Sequence, residues 1–115
     1  MPDSSLELVR GTLDLVILKA LSWGPLHGVG VVRWVEDVTH QQLQVEEGAL
    51  YPALHRLERK GWLEAEWGFT DRGRKAKYYQ LTTAGRRRLA DELRTWDRYT
   101  RAMGLVIAAE GGTAR

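Results

Sequence analysis

The fold is decided by residues 45–61, VEEGALYPALHRLERKG, which read as a single helix. At about 100° per residue, Leu50, Leu54 and Leu57 fall on one apolar stripe. Gly61 stands just past the expected end, where glycine commonly terminates a helix. The opposite face is polar and partly cationic, with Tyr51 on its flank: it carries Gly48, Pro52, His55, Arg56 and Arg59. We expect this helix to pack its leucines inward and to press its polar front onto a partner.

Pro52 is unusual inside such a helix. A proline there removes one backbone hydrogen bond and clashes with the carbonyl four residues earlier, which costs about 3 kcal/mol. The residue four positions back is Gly48, whose missing side chain lets the backbone adjust. Two interpretations stay open. Either the helix merely starts late, or its first turn is bent or shortened and sets how the helix tip meets its partner.

The composition predicts one small domain. With 115 residues and 43% apolar side chains a core can form, but the burial margin is thin and dimerisation would help. The chain has no cysteine, which excludes disulfides and thiolate metal sites. Residues 1–10 include acidic side chains and lack the apolar segment of a signal peptide. Because the apolar runs are also far shorter than a membrane span, we expect a cytoplasmic protein that does not enter the membrane.

Charge is distributed unevenly along the chain. Residues 1–54 carry 3 basic and 7 acidic side chains, whereas residues 55–88 carry 10 basic and 4 acidic ones. Residues 89–115 are balanced, with 4 of each. A cationic block between neutral or acidic segments indicates either one surface for a polyanion or a solvated face.

The remaining periodicities predict three helices, a β-hairpin and a long last helix. Residues 13–21 and about 26–38 follow helical spacing, and the glycines at 28 and 30 indicate close packing against a neighbour. Residues 63–67 alternate as a half-exposed strand does, GFTDRG (68–73) reads as a turn, and residues 77–81 read as the returning strand. Thr82 or Thr83 is a plausible cap for the last helix. This order predicts a mainly α, α+β fold: a winged helix-turn-helix, whose third helix enters the DNA major groove.

The last helix, from near Ala84 to about Ala108, would be about 37 Å long. It is longer than so small a body can cover, and its apolar stripe therefore predicts a partner helix in a symmetric dimer. The alternative is that the helix folds back onto the core. We expect a DNA-binding domain at 1–82, a dimerisation helix at 83–108 and a flexible tail at 109–115. The stripe consists of Leu89, Leu93, Trp96, Tyr99, Met103, Val106 and Ile107.

Four segments in this order resemble the PadR family of bacterial transcriptional regulators, over about residues 8–100. They are residues 11–18 (GTLDLVIL), 26–30 (LHGVG), 47–58 (EGALYPALHRLE) and 74–82 (RKAKYYQLT). The single C-terminal helix resembles the shorter subfamily, which dimerises through it. The resemblance implies a homodimeric repressor that binds a palindromic operator in double-stranded DNA and is released by a small molecule or another signal. Some family members bind flat hydrophobic effectors between aromatic side chains at the dimer interface. Trp96 and Tyr99 could form such a site, or could simply pack in the interface.

The candidate DNA contacts lie on the third helix and the wing. Arginine can bind guanine in a bidentate way, and tyrosine and histidine can reach phosphates or base edges. Arg56, toward the side of the face, could instead pair with an acid, and Glu58 is expected to be an intramolecular partner. The wing cations are expected to neutralise phosphates. The predicted contacts are Tyr51, Pro52, His55, Arg56, Arg59, Arg72, Arg74, Lys75 and Lys77.

The sequence does not indicate a catalytic or metal site. The three histidines, His27, His40 and His55, lie on separate segments without H-E-x-x-H spacing, and no phosphate-loop glycine pattern occurs. We predict no catalytic residue, no metal and no cofactor. The competing hypothesis is a winged-helix module for protein–protein assembly, because this fold hosts both functions. Such a module has no need of ten cations within residues 55–88.

Overall fold

The computed structural model describes residues 6–7 and 11–111. Its elements confirm the predicted fold class, a mainly α winged helix with a small antiparallel sheet. The helices are α1 Leu13–Ala20, α2 Gly28–Val38, α3 Glu47–Arg59 and α4 Thr83–Ala108, with a 3-10 turn at Leu21–Trp23. The strands are β1 Leu6–Glu7, β2 Leu26–His27, β3 Leu43–Gln44, β4 Leu63–Phe69 and β5 Lys75–Leu81.

The core lies where the first three helices meet the base of the hairpin. The predicted leucine stripe of α3 is confirmed, since Leu50, Leu54 and Leu57 are each fully buried. They pack in one cluster with side chains of α1, α2, β4 and β5, including Ile17 and Tyr79. Burial of each such side chain stabilises the fold by about 1.5–3 kcal/mol. The core therefore fixes the back of α3 and leaves its front to the surface.

The ends of α3 decide between the two interpretations of Pro52. The helix begins at Glu47, so Pro52 lies within it and the late-starting helix is wrong. No heavy atom from outside the local helix lies within 4 Å of the position that a Cβ at Gly48 would take. At the other end Gly61 adopts φ +79°, which confirms that it terminates the helix.

The sheet has one strand more than the hairpin prediction. Leu26 and His27 were expected at the start of the second helix, but they form β2, which pairs antiparallel with β5 opposite Tyr79 and Tyr78. The strand order is β2-β5-β4. A short parallel pair, β1 with β3, joins residues 6–7 to residues 43–44. Pairs of two residues carry no periodicity, and their pairing is set by neighbouring strands far away in sequence.

The hairpin β4–β5 with its turn, residues 70–74, is called the wing below. Both strands extend two residues further than predicted, so that Phe69 pairs with Lys75. The turn closes with hydrogen bonds from the backbone N–H of Thr70 to the Arg74 carbonyl (2.8 Å) and from Gly73 to the Thr70 carbonyl (2.8 Å). Gly73 has φ +78°, a conformation that glycine adopts without strain.

Helix α4 starts against the wing and then leaves the body. The Thr82 hydroxyl caps it, accepting a hydrogen bond from the Gly85 N–H at 3.0 Å, which confirms the predicted cap. Leu89 corrects the predicted stripe, because it is only 8% exposed and packs in the core of the chain instead of on the exposed stripe. Beyond Leu89 every residue of α4 except Glu92 is exposed. Of the predicted tail, only residues 109–111 fall within the described residues.

Candidate nucleic-acid interface

A cleft of about 790 Å³ lies between the start of α2, the front of α3 and the wing. It brings together residues that are up to 52 positions apart, from His27 on β2 to Tyr79 on β5. Five cations and one carboxylate line it: Arg33, Arg72, Arg74, Lys75, Lys77 and Asp71. The cationic block of the sequence thus forms one side of a concave surface. A cleft of this charge attracts polyanions.

The front of α3 faces solvent with the predicted side chains. Tyr51, Pro52, His55 and Arg59 are exposed, and two of them, Tyr51 and His55, also line the cleft. The helix presents them together because its back is anchored in the core. An exposed helix front beside a cationic hairpin has the layout in which a winged helix meets a duplex.

Tyr51 is positioned by Gly28 at the first turn of α2. A Cβ built on Gly28 would lie only 2.6 Å from Cε1 and from the hydroxyl oxygen of the Tyr51 ring. Since real Cβ contacts are essentially never closer than 3.0 Å, the ring occupies space that only glycine leaves open. The predicted close packing at Gly28 is therefore confirmed. The ring remains 39% exposed, held at the mouth of the cleft.

Two of the predicted DNA contacts are held in ion pairs within the chain. Arg56 binds the carboxylate of Asp14 on α1, which is the alternative that the sequence left open for it. Lys77 binds Glu58 on α3 at 3.1 Å, which confirms the expected role of Glu58. These pairs tie α3 to α1 on one side and to the wing on the other. Both cations thus help to fix the angle of α3.

The same contacts shift two pKa values. The hydrogen bond from Lys77 to Glu58 raises the pKa of the Lys77 ammonium above its ordinary value, against a smaller opposing effect of burial. Burial raises the pKa of the Tyr79 hydroxyl, partly offset by the nearby Lys77 charge. Lys77 is accordingly a cation throughout the neutral pH range, and Tyr79 is an uncharged core residue. Tyr78, on the other face of β5, is half-buried, and its ring packs on the His27 ring with the two centroids 5.2 Å apart.

Sequence reasoning missed four side chains of this region. Arg33 and His27 line the cleft from α2 and β2, where helical spacing gave no hint of a shared surface. Trp67 and Phe69 are exposed on the wing, by 62% and 72%. The period-two alternation of β4 could have shown that both lie on one face. The structure shows in addition that the wing extends past the core, so that none of the described core residues covers the two rings.

The predicted stripe on α4 forms a second surface. Apart from Leu89, its members are exposed by 38% to 77%. The rings of Trp96 and Tyr99 lie side by side, with centroids 6.2 Å apart. Monomeric proteins rarely expose so many large apolar side chains together.

The part of the chain that the structure describes contains no cluster of metal-ligating side chains. None of its helices is long and apolar enough to cross a bilayer.

Comparison with known proteins identifies relatives over most of the chain. The model of the transcriptional regulator PadR-like family matches residues 17–91. A transcriptional regulator of Mycobacterium tuberculosis is 33% identical over 108 residues, which cover 94% of each chain. The crystal structure of a PadR family transcriptional regulator from Eggerthella lenta aligns with a TM-score of 0.75 and 30% identity, over 88% of this chain and 86% of that one. A transcriptional regulator from Clostridium thermocellum shares the fold, with a TM-score of 0.75 and 24% identity, over 83% of this chain and 92% of that one.

Proposed function

The chain belongs to the PadR-like family of transcriptional regulators, and we propose that it is a homodimeric repressor that binds a palindromic operator through the cationic cleft. The family consists of regulators and not of enzymes. The observation that carries the proposal is the cleft itself, which separates an exposed helix front from the wing and is lined by five cations and one carboxylate. A duplex offers a groove for the helix and phosphates for the cations on either side of it.

In this proposal α3 lies in the major groove and the wing contacts the neighbouring backbone. Tyr51, His55 and Arg59 reach base edges or phosphates from the helix front, and Pro52 shapes the turn that approaches the groove. Arg56 contributes chiefly by holding α3 onto α1 through Asp14. Arg72, Arg74 and Lys75, with Arg33 on α2, neutralise phosphates and supply affinity that falls as salt rises. Lys77 joins them while it keeps the wing on α3 through Glu58.

The second copy of the chain binds along α4. We infer that residues 83–108 form the dimerisation helix and residues 1–82 the DNA-binding domain. The exposed stripe from Leu93 to Ile107 supports this, because at about 1.5 Å per residue it presents an apolar edge of about 20 Å to solvent. An isologous pair of such edges is the simplest way to cover both at once. It also places two recognition helices in the arrangement that a palindromic site requires.

An effector site between the protomers completes the proposal. Trp96 and Tyr99 lie on the dimer stripe with rings 6.2 Å apart, and both are at least 41% exposed. A flat hydrophobic or aromatic molecule would stack between these rings and those of the second copy, and so release the operator in the cytoplasm. The test is a tryptophan-fluorescence titration with aromatic compounds, in which Trp96→Leu should remove the quenching. Equal quenching in both proteins would refute the site.

The DNA-binding proposal is tested by gel shift with DNA from upstream of the protein's own gene, at 50 and 200 mM salt. We expect binding at low salt that weakens about 10³-fold or more at high salt. The variant Arg74→Ala/Lys75→Ala should bind every duplex more weakly and lower the salt slope by about 2.

The matched control is Arg98→Ala/Arg101→Ala, which removes the same charge from exposed positions of α4 outside the cleft. It should leave the slope unchanged. Absence of any shift at low salt would instead favour the winged-helix module for protein–protein assembly.

A further inference from the structure

The outer half of the wing exposes two aromatic side chains on one face. Side chains alternate along a strand, so Leu63, Ala65, Trp67 and Phe69 share a face of β4. Leu63 is buried, whereas Trp67 and Phe69 are 62% and 72% exposed. The apolar face of β4 thus continues for about four residues past the point where the strand leaves the core. Two large aromatics in water on the same hairpin indicate a surface with a partner.

Two lysines of β5 share a face with these two rings, and that indicates the chemistry of the partner. On β5, Lys77 pairs with Trp67 and Lys75 pairs with Phe69, so both lysine side chains leave the strand on the face of the two rings. The Lys77 ammonium binds Glu58, which leaves Lys75 as the cation beside the rings. The Lys75 ammonium is held 5.2 Å from the centroid of the Trp67 ring. The acids of β4, Glu64 and Glu66, point to the other face by alternation. A partner that is apolar in one place and anionic beside it fits this face.

We propose that Trp67 and Phe69 are an apolar wedge that enters the DNA minor groove beside the major groove occupied by α3. This rests on the proposed function. A minor groove combines sugar and base edges with phosphates at both rims, and aromatic or aliphatic side chains that enter it widen and kink the duplex. Pyrimidine–purine steps are the easiest to unstack. The wing thereby favours operators with a flexible step under the wedge, which adds selectivity that its lysines and arginines alone do not supply.

The test compares Phe69→Ala and Trp67→Ala with wild type, by fluorescence anisotropy on one operator duplex over a salt series. Each variant should bind about tenfold more weakly. The salt slope should stay unchanged, because it counts phosphate contacts and neither ring carries charge. Electrophoretic phasing should show less bending of the bound duplex. The matched control is Trp23→Ala, which removes an aromatic that is 74% exposed but lies outside the cleft.

The outcomes separate this proposal from the function on which it rests. If wild type binds and both variants bind within twofold of it, the wedge is refuted and the DNA-binding function stands. A loss of affinity with a lower slope in Phe69→Ala would likewise refute the wedge, since the ring would then act only through the lysines. If the variants change the sedimentation coefficient and not the affinity, the aromatic face is an interface between protein chains. Failure of wild type to bind any operator fragment would overturn both.

Discussion

Replacement of Gly28 by alanine should separate DNA binding from stability. The added Cβ would lie 2.6 Å from the Tyr51 ring, whereas ordinary contact begins at 3.4 Å, so a shift of roughly 0.8 Å or more is required. The contacted atoms are the far end of a flexible side chain that is 39% exposed. The backbone of α2, in contrast, is fixed by the buried Val31 and Val35. Tyr51 should therefore swing away while α2 stays in place.

The substitution should change the free energy of unfolding less than the free energy of DNA binding. Alanine is favoured over glycine by up to about 1 kcal/mol in a helix, and a displaced rotamer costs about 0.5–1.5 kcal/mol. The free energy of unfolding should thus change by less than about 1 kcal/mol, a shift in Tm of only a few degrees. If Tyr51 contacts DNA, loss of its position should remove about 1–3 kcal/mol of binding energy. That corresponds to at least about a fivefold loss of affinity.

The assay is a double-mutant cycle. Anisotropy titrations on one operator duplex would compare wild type, Gly28→Ala, Tyr51→Ala and the double variant. We expect the double variant to bind like Tyr51→Ala, because the alanine acts only through the ring. Gly30→Ala is the matched control, since it makes the same substitution two residues further along, next to the His27 side chain at 3.2 Å and not next to Tyr51. Wild-type affinity in Gly28→Ala, or an equal loss in both backgrounds, would refute the reasoning.

Three further predictions concern the fold and the dimer. Gly85→Ala should lower the free energy of unfolding by more than about 2 kcal/mol, since its Cβ would lie 2.0 Å from the backbone oxygen of Trp62; an unchanged urea midpoint would contradict this. The hydrogen bond to Glu58 raises the pKa of Lys77 above 10.5, so its stabilisation is complete below pH 10.5 and is lost as pH rises through the folded pKa. Urea unfolding should therefore show Lys77→Met less stable than wild type at pH 7, with a difference that shrinks as the pH rises above 10.5; a constant difference would exclude this cause. Leu93→Asp should sediment as a monomer and lose more affinity for a two-half-site duplex than for a half-site, whereas a persistent dimer would exclude this face of α4 as the interface.

Elements whose own side chains decide their structure were predictable. The leucine stripe of α3 is local and repeats with the helical period, so Leu50, Leu54 and Leu57 could be placed in the core from the sequence alone. Gly61 and Thr82 are likewise end signals that act within a few residues. Where the cause of a structure lies elsewhere, local reasoning failed. Residues 26–27 have no strand pattern of their own, and they form β2 because β5 offers them an open edge.

Six of the nine predicted contacts line the cleft, but the sequence left open which of its cations form ion pairs. In the sequence, Lys77 and Arg74 are equivalent cations of one block, and Arg56 differs from them only by its place toward the side of the helix face. In the structure, Arg56 and Lys77 bind acids on α1 and α3, while Arg74 lies in the turn of the wing and forms no ion pair among the described residues. That difference depends on contacts between residues 19 to 42 positions apart. Spacing along one element cannot reveal such contacts.

The ion-paired cations and the unpaired cations contribute differently to the candidate interface. A cation that already neutralises a carboxylate adds less to phosphate attraction than an unpaired one, and it fixes the geometry in which unpaired cations act. Asp14 and Glu58 hold α3 between α1 and the wing through Arg56 and Lys77, whose side chains are 42% and 30% exposed. At that exposure each pair contributes modestly to stability. In the proposed complex their main effect is on position, because α3 and the wing would have to keep a fixed separation to bind adjacent grooves of one duplex.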